Sequence, residues 1–170
     1  MGSDSRLLDN VIRHAYRPAE HRVSMRLAFP CRGADLRAAR TCERDVFGRR
    51  YGNTPAQLRA EYDPFDGDMS FGAVLLPDGR AAGAVRLLHG NPEALKTLQD
   101  AVHPPWSLPI EATRQAAGLD RVATWDVATF GVDAAGFGAG SRPVTLALLS
   151  VLFGAFRDNR VAAFVAIIDG

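Results

Sequence analysis

A chain of 170 residues, 47% hydrophobic and 23% charged, is long enough to bury one proper core without disulfide or metal staples, and the balance is ordinary for a globular domain. A formal net charge of +1 gives no field that would draw the chain to nucleic acid or an acidic membrane; the adjoining Arg49 and Arg50 leave room for only a local patch. Cys31 and Cys42 show no metal-ligand spacing, suit a reducing compartment, and read as small buried or half-buried thiols.

Residues 1–20 read as a polar extension, with one amphipathic helix from Ser5 to Ala15 carrying Leu7, Leu8, Val11 and Ile12. Asp4, Asp9 and Arg13 interrupt any apolar leader, and no apolar run reaches the ~20 residues a bilayer requires. No membrane span and a cytoplasmic location are therefore expected. Residues 21–170 read as a single domain. Val23 to Phe29 alternate as a first strand, Pro30 to Gly33 turn, and Ala34 to Phe47 form a helix. Thr54 caps a short helix running to Glu61, with Pro55 at its first position. After an acidic turn over Asp63 to Asp68, Ser70–Leu76 and Arg80–Leu88 flank Pro77-Asp78-Gly79, a strong hairpin signal. Asn91 to Ala101 read as a helix capped by Asn91, His103 to Pro109 as a loop, and Glu111 to Ala117 as a helical turn.

The last third forms one unit. Arg121 to Val132 is β-branched and aromatic, as strands are. A glycine loop follows, then a helix that Ser141 can cap with its side-chain oxygen, with Pro143 in its first turn. Leu146, Leu148, Leu149, Leu152, Phe153 and Phe156 give that helix a broad apolar face, and Asn159 ends it. Val161 to Ile168 has the composition of a buried strand. A strand–helix–strand crossover places both strands in one sheet, and the loop opens on a helix N-terminus that favours negative charge.

A hairpin followed by a crossover implies a mixed sheet flanked by helices, an α/β (α+β) fold. This order is similar to that of the acyl-CoA N-acyltransferase (GNAT) superfamily. Complete members add a helix and two strands, so the expectation is a GNAT-like sheet lacking its last two, its final edge open or covered by another segment.

Four stretches resemble the N-acyl-homoserine lactone (autoinducer) synthase family, within that superfamily. Asp45 to Gly52 looks like its helix end, an aromatic followed five residues later by glycine. Glu61-Tyr-Asp-Pro-Phe-Asp66 matches its Glu-x-Asp-x-aromatic-Asp signature, Gly83 to Leu88 its Gly-x-x-Arg-Leu-Leu strand, and Trp125 to Val132 its aromatic-Glu-x-Ser-Arg-Phe-x-Val strand. The resemblance implies transfer of a fatty acyl group from acyl carrier protein, or from CoA, to a small-molecule amine. In that family the amine is S-adenosylmethionine, whose product then lactonises. Asp63 and Asp66 would hold the cationic co-substrate, Arg86 would organise the carboxylates, Asp126 would be the base, and Phe47 and Phe130 would shape the pocket. Departures stand at Glu43, where the family has arginine with Arg44 one position away, at Asn53 for its tryptophan, and at Ala128-Thr129 for its Ser-Arg pair; Arg44 and Thr129 would still stand among the substrate-binding residues. An N-acyl amino acid synthase, or a non-catalytic relative binding an acyl or nucleotide ligand, are the alternatives.

Amine acylation needs a proton acceptor and donors for the oxyanion. By strand alternation Asp126 shares a face with Ala128 and Phe130, opposite Trp125, Val127 and Thr129. Burial there would raise its pKa toward that of a useful base, although a structural hydrogen-bond hub fits the same position. Arg86 lies among small and apolar residues and needs a partner if buried, for which Asp63 or Asp66 would serve. Asp63 and Asp66 could equally bond their own turn. Gly136, Gly138 and Gly140, with Arg142 nearby, form the candidate acyl-donor loop; Ala135 stands where the superfamily has Arg or Gln, and mere turn geometry is the other reading. His14, His21, His89 and His103 show no ligand spacing and are expected at the surface.

Overall fold

The computed structural model describes residues 24–89, 95–133 and 141–167. Five strands lie in the order β1-β2-β3-β4-β5: β1 Arg26–Ala28, β2 Met69–Leu75, β3 Ala81–Leu88, β4 Thr124–Val132 and β5 Ala163–Val165. The first three pairings are antiparallel and β4 pairs parallel with β5, so the sheet is mixed as its connections require. The helices are α1 Gly33–Tyr51, α2 Pro55–Tyr62, α3 Lys96–Ala101, α4 Ile110–Ala117 and α5 Arg142–Asp158.

Both faces of the sheet are covered. Helix α5 places Val144, Leu148, Leu152 and Phe156 against Val74, Val85, Leu87 and Val127. Its approach is close: a Cβ built on Gly72 would lie 2.5 Å from Val151 Cγ1, so this strand position admits only glycine without movement. On the opposite face α1 buries Ala39 and Cys42 against Phe71, Ala73 and Ala84. Burial pushes the Cys31 thiol to about 11 and the Cys42 thiol to about 12, which leaves both unreactive near neutrality. Helix α1 stops where Gly52 turns left-handed (φ 74°) and its N–H reaches Gly48 O. Helix α2 begins on a full capping box: Thr54 Oγ1 accepts from Gln57 N–H, and Gln57 Oε1 accepts from Thr54 N–H.

Several expectations are revised. The first strand spans three residues, and α1 runs four residues beyond Phe47. Ser141 precedes α5 but does not cap it through its side chain: its backbone is already helical (φ −76°, ψ −16°), whereas a capping side chain needs an extended backbone to reach the free amides. Its carbonyl instead accepts Thr145 N–H and Thr145 Oγ1–H. Strand β5 is short and only half-buried, with Phe164 48% exposed, because it stands at the edge of the described sheet. The Ser5–Ala15 helix and the Asn91 cap lie outside the described residues. Among the described residues no helix is long and apolar enough to cross a membrane.

Candidate active site

The site begins at an irregularity in β4. Arg86 pairs with Thr129 but the next residue, Leu87, pairs with Val127, so Ala128 is an extra residue bulged out of the ladder. On the other side, β4 and β5 remain paired only over Thr124–Ala163, Trp125–Phe164 and Asp126–Val165. Beyond Asp126 the two strands part, and a cleft of about 670 Å³ opens between them, within the roughly 300–1,000 Å³ of small-molecule sites. Val127, Ala128, Thr129 and Phe130 form one wall, and Phe164, Ala166 and Ile167 the other. Leu149, Leu152 and Phe153 of α5 close one side, and Phe47 and Leu58 enter from α1 and α2.

The same cleft has a polar end. Glu61, at the close of α2, and Asp100, on α3, both line it and share the ammonium of Lys96, Glu61 Oε1 at 2.7 Å and Asp100 through a short contact. Burial works to lower the Lys96 pKa, but hydrogen bonds to Asp100 and Glu61 outweigh it and hold the ammonium above its ordinary value. Beside this pair Tyr62, 5% exposed, directs its hydroxyl at the carbonyl of the bulged Ala128, 3.4 Å away. Burial raises the Tyr62 phenol well above its usual range, so it stays a neutral donor. Sequence reasoning gave no role to Lys96, Asp100 or Tyr62. The signal for the first two was the i,i+4 spacing of Lys96 and Asp100.

Of the expected site residues, Phe47, Thr129 and Phe130 meet in the cleft. Arg44, Asp63, Asp66 and Arg86 meet in a separate recess of about 200 Å³ that shares Leu58 with it. Arg86 does not pair with Asp63 or Asp66. Its guanidinium is clamped by Glu43, Nε to Oε1 at 2.9 Å and Nη2 to Oε2 at 2.5 Å, and lies against the rings of Tyr62 and Phe71 at 3.9 and 4.8 Å. Asp66 pairs instead with Arg40 at 3.2 Å, and Arg44 with Asp45 at 3.1 Å. The reason is position: Arg86 projects from mid-sheet beneath α1, while Asp63 and Asp66 sit exposed on the helical turn Asp63–Asp68.

Thr129 Oγ1 donates to the same Glu43 carboxylate at 2.6 Å. Glu43 and Thr129 both stand where the chain departs from the autoinducer synthase pattern, and here they touch.

Asp126 lies on the face of Thr129, not opposite it, because the bulge at Ala128 shifts the alternation by one. Fully buried, it accepts Thr97 N–H at 2.7 Å and Thr97 Oγ1–H at 2.6 Å, and it is not among the residues lining the cleft. Burial raises its pKa against the pull of the Thr97 bonds. This geometry ties β4 to α3. Gly136, Gly138 and Gly140 lie outside the described residues; Arg142 is exposed at the start of α5. His89 is half-buried, not superficial: Ser70 Oγ lies 2.9 Å from its Nε2, and its ring lies 5.1 Å from that of Trp125.

A five-stranded mixed sheet covered by helices on both faces matches the fold of the GNAT acetyltransferases. Solved structures similar to this chain include a proposed acetyl transferase from Pyrococcus furiosus, with a TM-score of 0.50, 9% identity, and coverage of 86% of this chain and 84% of that one. An acetyltransferase from Trypanosoma brucei (TM-score 0.47, 14% identity) is matched over 86% of this chain and 83% of its own. For the ribosomal-protein-alanine N-acetyltransferase from Brucella melitensis biovar Abortus 2308, the TM-score is 0.46 and the identity 15%, over 86% and 80%. No protein-family model and no curated protein matches the chain in sequence. The likeness is one of fold.

Proposed function

We propose that the chain is an N-acyltransferase that moves a fatty acyl group from a thioester, on acyl carrier protein or CoA, to the amine of a small molecule. The cleft carries this reading: an apolar slot between parted strands suits an alkyl chain, and its one polar end suits an amine. The amine nitrogen attacks the thioester carbonyl, the C–N bond forms, the C–S bond breaks, and the thiol leaves. Glu61 and Asp100 are the cleft carboxylates placed to take the amine's surplus proton. Past Asp126, β4 has no strand partner on the β5 side among the described residues, which leaves backbone there to meet an oxyanion.

Two acceptors compete. The four resembling stretches support S-adenosylmethionine and an acyl-homoserine lactone product. The Glu43–Thr129 hydrogen bond favours a different amine, such as an amino acid, because two departures from that family form one coupled change. Incubation with acyl carrier protein and CoA thioesters of graded length, against S-adenosylmethionine and an amino acid panel, read by mass spectrometry, separates them. Lactone product supports the first and acylated amino acid the second, whereas donor binding without product in any arm defeats the enzymatic reading. Glu61→Gln is expected to lower turnover by about tenfold or more, while Asp126→Asn retains it within about threefold. The reverse order would return the base role to Asp126.

A further inference from the structure

The smaller recess beside the cleft has walls of both charges, and most of them are already matched. Glu43 and Arg86 neutralise one another, Arg40 pairs with Asp66, and Arg44 with Asp45. Arg59 and Asp63 line the same recess, are exposed, and have no side-chain partner among the described residues. They are four residues apart, where helix closes into the turn Asp63–Asp68, and Asp63 N–H bonds Arg59 O without any ion pair between the side chains.

We propose that this recess binds a small zwitterion of the α-amino acid class, its carboxylate on the Arg59 guanidinium and its ammonium on the Asp63 carboxylate. A simple anion entering here would meet Asp63 and Asp66, and a simple cation would meet Arg40, Arg44 and Arg59; a molecule carrying both charges satisfies both sets. Size selects further. At about 200 Å³ the recess falls below the roughly 300–1,000 Å³ of sites for drug-sized ligands, a size that suits an amino acid better than a nucleoside. The shared Leu58 makes the recess a neighbour of the acyl cleft. Because Glu61 and Asp100 line the cleft and not the recess, this ligand sits beside the acyl acceptor and not in its place, and its binding does not rest on the acyltransferase reading.

Ligand-observed NMR titration of the whole chain without acyl donor tests the binding alone, with glycine as the probe and methylamine, acetate and S-adenosylmethionine as comparators. Glycine is expected to bind about tenfold or more tighter than methylamine or acetate, and at least as tightly as S-adenosylmethionine. Arg59→Gln and Asp63→Asn should each weaken glycine by about tenfold while leaving Tm unchanged, since both side chains are exposed. Methylamine or acetate binding as well as glycine, S-adenosylmethionine binding better, indifference to both variants, or no glycine binding at all would overturn the proposal. Turnover of an amine without glycine binding sinks the recess and spares the acyltransferase; glycine binding without turnover does the opposite.

Discussion

Two ionic clusters press their cations on one ring. Arg86, held by Glu43, lies 3.9 Å from the centre of Tyr62, and Lys96, held by Glu61 and Asp100, lies 5.3 Å from it. The chemistry is alike but the surroundings differ. The side chains of Arg86 and Glu43 are 6% and 3% exposed, and a third donor, Thr129, completes the carboxylate's bonding. The carboxylates around Lys96 are 37% and 45% exposed and line the cleft. A buried, fully bonded pair fixes α1, β3 and β4 in register; a half-wet cluster leaves oxygen lone pairs that, on the proposed function, an incoming amine would meet. Burial therefore decides which cluster is structural and which can do chemistry.

The largest expected effect lies in the buried cluster. Glu43→Ala strands the Arg86 charge and should cost about 3–5 kcal/mol, read as a lower urea midpoint at constant m-value. A cost below that of any change at Lys96 would erase the distinction. Asp126→Asn comes next: one amide oxygen can keep the Thr97 N–H, but the charged acceptor of two bonds is lost, at about 1–3 kcal/mol. Its pH dependence has a definite sign. Burial raises the folded-state pKa of Asp126 above its ordinary value, so the stability it contributes is fully present below that ordinary value and is lost as pH rises through the raised one. Denaturation curves for both proteins should show the variant's deficit shrinking with rising pH across this window. A deficit that grows would show that the Thr97 bonds outweigh burial.

Local features were legible in the sequence. The Thr54 cap with Pro55 behind it, and the Asp78-Gly79 hairpin, depend on residues within a few positions of one another, and both form. The mixed sheet followed from the crossover. What failed was counting past an irregularity. Period-two alternation put Asp126 opposite Thr129 because nothing in Trp125 to Phe130 announces that Ala128 is an extra residue. The Arg86 partner failed for a different reason: Glu43 is 43 residues away on a helix whose roll about its axis only packing sets, and Asp63 and Asp66 were nearer in sequence. The cleft itself arises where β4 and β5 separate, a property of neither strand alone.

A smaller effect tests the wet cluster through its support. Thr54→Ala removes one half of the capping box at the start of α2, the helix that carries Leu58 and Glu61 to the cleft, and should cost about 1 kcal/mol in thermal unfolding. If Glu61 depends on α2 being set firmly, the KM for the amine rises in this variant while the acyl-donor KM holds. A rise in both would mean the whole cleft had loosened.

The smallest change in stability, and the sharpest test of the contrast, is Lys96→Met. Methionine keeps most of the packed length, and the carboxylates it frees can be met by water, so the loss should be about 0.5 kcal/mol and shrink further in high salt. The functional consequence runs the other way. Glu61 and Asp100 carry two negative charges against the single positive charge of Lys96; without it the polar end of the cleft is more negative by one. A cationic amine should then bind more tightly, seen as a lower KM at low ionic strength, with the gain fading as salt is added. A Lys96→Met protein that unfolds as readily as Glu43→Ala, or binds its amine more weakly, would place the Lys96 cluster among the struts of the fold, and the proton would have to leave by another route.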